Sequence, residues 1–159
     1  MVQDKTVDPQ QDPMWFKPME EKHLDQLMDI ETRSFLSPWT RSAYLYELTN
    51  NDFAHYIIVS QGDQILGYAG MWIILDESHI TTLAVHPDYR GRGLGRMIML
   101  EMMRRSIPLG ATRITLEVRD SNLAARHLYA SLGFVEKGRR KKYYADTNED
   151  AIIMWADLQ

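Results

Sequence analysis

The feature that most limits the fold of this chain is a loop, Arg90-Gly91-Arg92-Gly93-Leu94-Gly95-Arg96, set between two stretches of different periodicity. Residues 78–85 before it read as a strand. Residues 95–107 after it contain no helix breaker, and Glu101, Arg104 and Arg105 fall within about 100° on a helical wheel. Most of the circumference is therefore apolar, as suits a helix lying on a sheet, and Pro108-Leu109-Gly110 ends it. Glycine lets the backbone turn tightly and come close to a ligand. The helix N-terminus offers unpaired N–H groups and a partial positive charge, which stabilise an anion. The arginines add charge-assisted donors. Pyrophosphate is the ligand this combination suits.

The rest of the chain supplies the sheet. Residues 15–19 open as a short strand. Residues 21–35 carry Leu24, Leu27, Met28 and Ile30 near helical spacing until Ser37-Pro38 interrupts, and Thr40 is placed to cap a second helix through Leu48. A β-branched run at 56–59, the turn Gln61-Gly62-Asp63, a strand at 65–75 and a turn at Asp76-Glu77 lead into the strand at 78–85, an antiparallel meander. Residues 113–118 alternate, with Ile114, Leu116 and Val118 on one face and Thr115 and Glu117 on the other. Ser121 or Asp120 caps a helix through Leu132, and Gly133 suits its left-handed C-terminal position. Residues 134–144 and 151–155 close the chain as strands. The expectation is one α/β domain over residues 14–159, a mixed, mostly antiparallel sheet flanked by helices. A loose polar tail over residues 1–13 precedes it.

Composition removes several classes of function. The chain is long enough for one core and too short for two ordinary ones. It has no cysteine, which excludes a disulfide framework, a thiolate metal site and a cysteine nucleophile. His23, His55, His79, His86 and His127 show no metal spacing, so no metal is expected. A net charge of -4 argues against a nucleic-acid partner, and the run Arg139-Arg140-Lys141-Lys142 reads as solvated surface. The longest apolar stretch, residues 68–75, is far short of the roughly 20 residues a membrane span needs. The opening Met1-Val2-Gln3-Asp4 carries no signal pattern, and a cytoplasmic location fits. The ten methionines read as core filler.

Two familiar phosphate loops fail. A dinucleotide site needs G-x-G-x-x-G, but Arg96 stands three residues after Gly93, and the preceding strands form a meander rather than a βαβ unit. A P-loop fails because no Gly-Lys-Ser/Thr occurs. The segment instead reads R-x-x-G-x-G at Arg90, Gly93 and Gly95, directly after Leu83-Ala84-Val85-His86-Pro87. Leu116-Glu117-Val118-Arg119, then Asn122 with Ala125, then Leu128-Tyr129 with Gly133-Phe134 follow in order. Together these elements resemble the GCN5-related N-acetyltransferases, the GNAT superfamily, over nearly all of residues 19–158. Ser37-Pro38-Trp39, the Leu-Glu-Val-Arg strand, the R-K-K-Y-Y run that ends at Tyr144, and Glu149-Asp150-Ala151-Ile152-Ile153-Met154 resemble its RimI branch, the N-terminal alanine acetyltransferases of ribosomal protein. The loop departs from many relatives in placing Gly91 directly after Arg90, which is expected to make it more flexible.

The resemblance implies the GNAT fold, whose splayed central strands hold acetyl-CoA. It implies that Leu83, Ala84 and Val85 meet the pantetheine arm through backbone groups, which requires a strand whose ladder partner has moved away. Arg90, Gly91, Arg92, Gly93, Leu94, Gly95 and Arg96 would hold the pyrophosphate, and Asn122 would touch the arm. The implied partner is the N-terminus of a ribosomal protein or other peptide, received in a groove lined by Trp39, Tyr143 and Tyr144. For the chemistry, Glu117 is the best base, because it interrupts an apolar strand and points away from its buried face. Partial burial or a water has to assist it, since an exposed glutamate of pKa ~4.3 is a feeble base. Tyr129 is the acid: a phenol is neutral at pH 7 and can donate to a departing thiolate. It shares a helix face with Asn122, about 10 Å away along the axis. A small-molecule amine acetyltransferase of the same fold and a non-catalytic acyl-CoA-binding module remain open.

Overall fold

A computed structural model describes residues 12–158. The expected tail lies largely outside them, since residues 1–11 are not described. Strand β1 is Met14–Pro18, followed by a single 3₁₀ turn, Glu21–His23, and helices α1, Leu24–Ser34, and α2, Arg41–Asn50. The meander is β2, Ala54–Gln61, β3, Gln64–Ile74, and β4, Glu77–Val85. Then come α3, Leu94–Ser106, β5, Arg113–Arg119, α4, Leu123–Ser131, β6, Val135–Tyr144, and β7, Glu149–Asp157. The seven strands form one sheet in the order β1-β2-β3-β4-β5-β7-β6, antiparallel throughout except where β4 meets β5.

Local chemistry explains most of these boundaries. Thr40 caps α2 as expected, its hydroxyl accepting from the Ala43 N–H at 3.1 Å. Gly133 takes φ 98° after α4 and so ends it. On α3, Glu101 accepts from both Arg104 and Arg105, so the three polar residues predicted to share a face are joined in ion pairs. The cap of α4 is a correction. Neither Ser121 nor Asp120 caps it. Asn122 does, accepting from the Ala125 N–H at 3.2 Å. Ser121 is bonded to Glu149, and Asp120 is paired with Arg126 and Arg139.

The sheet divides two cores. Ile57, Val59, Ala69 and Met71 face α3, whose Leu94, Ile98, Met99 and Met102 are buried against them. Tyr56, Ile58, Ile65 and Tyr68 point the other way, onto Leu24, Leu27 and Ile30 of α1 and Tyr44 of α2. This is the period-two alternation of strands buried on both faces. Methionine fills the first core, as expected.

One irregularity makes the site. β4 and β5 pair in parallel only at Glu77–Arg113, Ser78–Ile114 and His79–Thr115. Immediately beyond, β4 slips register against β3: Ile80 pairs with Met71 and Thr82 with Gly70, leaving Thr81 as an extra residue. A bulge bends and twists its strand. Past it β4 keeps β3 as a partner through Val85 but has left β5. The β5-side backbone of Leu83, Ala84 and Val85 therefore has no ladder partner, the splay that the sequence reading requires. Gly70 permits the bulge to be braced. A Cβ there would sit 2.0 Å from the Tyr56 ring, whose hydroxyl lies 3.0 Å from Thr81 Oγ1.

Candidate active site

The cleft between the parted strands opens into a cavity of about 800 Å³. It collects residues remote in sequence: Leu83 from β4, Glu117 from β5, Asn122 and Tyr129 from α4, Trp39 from the α1–α2 loop, and Tyr143 and Tyr144 from β6. The glycine loop and Ala84 and Val85 are not part of this lining. Ala84 is buried in the core beneath α1 and α2, and the Val85 side chain packs toward α3.

The loop enters α3 through two left-handed glycines, Gly91 at φ 77° and Gly93 at φ 81°. Gly93 is the N-cap, and no side chain caps the helix. Nothing lies within 4 Å of where a Cβ would stand at either glycine, so the loop presents open backbone in front of the first turn of α3. Gly91 is thus a conformational requirement of the loop. The arginines are less free than a bare phosphate clamp. Arg90 donates to the Val85 carbonyl at 3.1 Å and to Ser34 Oγ at 2.9 Å; Arg96 donates to Ser131 Oγ at 2.9 Å; Arg92 lies over the Tyr89 ring.

Glu117 has a partner that sequence reasoning passed over. Its Oε1 lies 2.8 Å from Nε2 of His79, and the Glu117 side chain is only 14% exposed. With the carboxylate ionised, Nε2–H donates. Burial pushes the Glu117 carboxyl up, but the His79 hydrogen bond, its charge and that of Arg140 outweigh this and hold it below the ordinary glutamate value. Burial therefore does not strengthen this base. The side-chain alternation did place Glu117 away from the buried face of β5. What it does not contain is the register of the short parallel pairing, which sets His79 opposite Thr115 and so within reach of Glu117.

Tyr129 opens onto the same cavity with its ring 5.8 Å from Phe134, and burial pushes its hydroxyl up to about 12. It is neutral across the physiological range. Its companion Asn122 spends its carbonyl on capping α4, which leaves the amide N–H₂ to point elsewhere.

The third wall is built from charged pairs. Arg119 donates to both carboxylate oxygens of Asp146, at 2.9 and 2.7 Å, and lies 4.1 Å over the Tyr144 ring. Ser37 Oγ donates to Asp146 at 2.8 Å, joining the β6–β7 turn to the α1–α2 loop. Glu31, 2% exposed, accepts from the Tyr44 and Tyr68 hydroxyls and from the Trp39 N–H, and so seats Trp39. The basic run on β6 is exposed, as expected, and is also paired: Arg139 with Asp120 and Asp150, while Arg140 lies over Tyr143. Among the described residues no group of three or more His, Asp or Glu is arranged to hold a metal ion, and no helix is long and apolar enough to cross a membrane.

Residues 24–134 match the Acetyltransferase (GNAT) family. A Bacillus subtilis protein provisionally named a ribosomal protein bS18-alanine N-acetyltransferase is 40% identical over 135 residues, 85% of this chain and 89% of that one. The Escherichia coli K12 protein named ribosomal protein bS18-alanine N-acetyltransferase is 35% identical over 140 residues, 86% and 92% of the two chains. The crystal structure of the ribosomal-protein-S18-alanine N-acetyltransferase from Escherichia coli superimposes with a TM-score of 0.84 at 32% identity, covering 92% of this chain and 95% of that one.

Proposed function

The chain belongs to the acetyltransferase (GNAT) family, and on that premise we propose that it transfers acetyl from acetyl-CoA to the α-amino group of an N-terminal alanine. The acceptor we propose is the ribosomal protein bS18 for which its relatives are named, met in the cytoplasm. One observation carries the reading: a single cavity at the parting of β4 and β5 joins Glu117 and Tyr129 to an aromatic wall of Trp39, Tyr143 and Tyr144.

Acetyl-CoA fits the residues on the donor side. The edge of β4 at Leu83, Ala84 and Val85, which lacks β5 as a ladder partner though the Val85 carbonyl accepts from Arg90, suits the amides of the pantetheine arm, with Asn122 beside it. The pyrophosphate falls to Gly91, Gly93, Leu94 and Gly95 and the first turn of α3, with Arg90, Arg92 and Arg96 as a positive surround. The backbone is the principal ligand here, because Arg90 and Arg96 already have protein partners.

In the reaction the amine nitrogen forms a bond to the thioester carbonyl, the carbon–sulfur bond breaks, one proton passes from nitrogen to the base, and sulfur leaves as a thiolate that takes its proton from solvent. The attacking amine has to be neutral. An α-amine of pKa ~7.7–8.0 is roughly a tenth neutral at pH 7, a lysine of pKa ~10.4 less than a thousandth. Only modest base assistance is needed, which suits a carboxylate held low. Glu117, which lines the cavity, is the proton acceptor, and His79 fixes its carboxylate through the 2.8 Å contact. Tyr129 donates to the developing thiolate. With its hydroxyl near 12 against a thiol near ~8.5, it stabilises the leaving charge more than it surrenders its proton.

The test is a peptide with a free N-terminal alanine and an internal lysine, offered with acetyl-CoA and read by fragmentation mass spectrometry. Acetylation at the terminus alone is expected, and a formyl-blocked terminus should stop turnover. Dominant lysine modification, or brisk turnover of the blocked peptide, removes the acceptor assignment. Turnover of small amines in place of any peptide does the same.

A further inference from the structure

We propose that Asp150 is a positioning residue for the acceptor: it holds the bend in β6 that turns Tyr143 and Tyr144 toward the cavity. The inference rests on the reading above, in which those tyrosines receive the peptide.

The bend is visible in the ladder. Between the Arg140–Ala151 and Tyr144–Glu149 pairs, β6 advances four residues while β7 advances two. The surplus is absorbed around Lys142, which takes φ 52°. A lysine gains nothing from the left-handed region, where its Cβ crowds the following carbonyl; glycine and asparagine are the residues that tolerate it. Such a conformation persists only where its surroundings enforce it. Here the enforcing contact is direct. The Lys142 N–H donates to Asp150 Oδ1 at 2.9 Å, replacing the ladder bond that the bend removes. The Asp150 carboxyl is held below its ordinary value, first by that N–H and also by Arg139.

What the bend accomplishes lies in the next two residues. The rings of Tyr143 and Tyr144 meet edge to face with centroids 5.2 Å apart, and both line the cavity. An unbroken strand would send consecutive side chains to opposite faces. The surplus residues let both tyrosines serve one wall. Arg119 secures the far side of the bend through Asp146 and the Tyr144 ring. Asp150 secures the near side. It also accepts from Arg139 at 3.2 Å, so its charge and its backbone bond have to be separated experimentally.

Asp150→Ala removes both; Asp150→Asn keeps an oxygen for the Lys142 N–H and loses the charge. We expect the Ala variant to raise KM for the alanine-terminated peptide about tenfold, the size of one lost hydrogen bond to a charged group, with acetyl-CoA affinity unchanged. The Asn variant should stay near wild type. Adding Lys142→Gly to Asp150→Ala should recover much of the peptide KM, because glycine adopts this backbone without a carboxylate to hold it. Amide hydrogen exchange at Lys142 should accelerate in the Ala variant only. A purely structural role would instead lower Tm and leave peptide KM in the folded fraction unchanged. That result overturns the proposal, as do equal effects of Ala and Asn or unaltered exchange at Lys142. If the wild-type enzyme leaves such peptides unmodified, the peptide reading falls, and the exchange data still decide whether Asp150 holds the bend.

Discussion

Removing His79 and Glu117 singly and together is the sharpest test of the proton acceptor. The two side chains meet at 2.8 Å in a part of the cleft where Glu117 is largely shielded from solvent. A general base contributes ~10²–10⁴-fold. Taking the low end for an amine that needs little help, Glu117→Gln and His79→Ala should each slow the chemical step by about 10², or about 2.7 kcal/mol at about 1.36 kcal/mol per tenfold. Independent groups would give the double variant about 10⁴; a pair acting as one unit leaves it near 10². The assay is single-turnover acetylation of an alanine-terminated peptide at saturating acetyl-CoA, from pH 6 to 9. The wild-type carboxyl is held low and so stays ionised across that range, and the rate should rise with the neutral fraction of the amine. Without His79, burial of Glu117 is no longer offset by its largest favourable contact, and the carboxyl moves up. The loss in His79→Ala should therefore deepen toward pH 6. Multiplicative single losses, or a His79→Ala deficit independent of pH, would refute the pairing.

Two further outcomes follow from the donor side. Gly93→Asp puts a side chain and a negative charge at φ 81° beside the proposed pyrophosphate site, so the rise in Tm on adding acetyl-CoA should vanish while the apo protein stays folded by circular dichroism. Tyr129→Phe keeps the ring against Phe134 and deletes the donor; kcat should fall by ~10²-fold or more with acetyl-CoA affinity nearly intact, measured by pre-steady-state mixing.

How much of this was legible in the sequence depends on the range of the interaction. Elements set by local chemistry were readable: the Thr40 cap, the left-handed Gly133, the alternation of β5 and the glycine entry to α3. Glu117, Tyr129, Trp39, Tyr143 and Tyr144 converge on one cavity, and the family resemblance is what named them together. The cap of α4 is not legible because Asp120, Ser121 and Asn122 are all good caps, and the choice is made by the partners the first two find. Glu149 takes Ser121, and Arg126 with Arg139 takes Asp120, leaving Asn122 for the helix. His79 shares with the other histidines a lack of metal spacing; its partner lies 38 residues away and depends on strand register. Glu149 and Asp150 stand in the motif that resembles the RimI branch, but what they hold depends on the same register.

The dependence on register also explains why the site sits where it does. Two strands running parallel side by side would normally satisfy each other's backbone and leave nothing to offer a substrate. β4 is prevented from doing so by one extra residue, Thr81, and that residue is braced from below. Its hydroxyl meets Tyr56, which donates to Glu47, which also accepts from Trp72 and Asn51. Glu47 is 9% exposed, and within this network its charge is met by hydrogen-bond donors rather than by a cation. A buried carboxylate with three donors is a costly way to stabilise a fold, but an effective way to fix the position of the groups around it. Glu31 repeats the arrangement on the acceptor side with Tyr44, Tyr68 and the Trp39 N–H. One acidic network fixes the strand beside the proposed donor site, and the other fixes the loop beside the proposed acceptor site. Rigidity on both sides of the cleft brings two substrates to a common point, and for an amine already partly neutral that proximity supplies much of the rate.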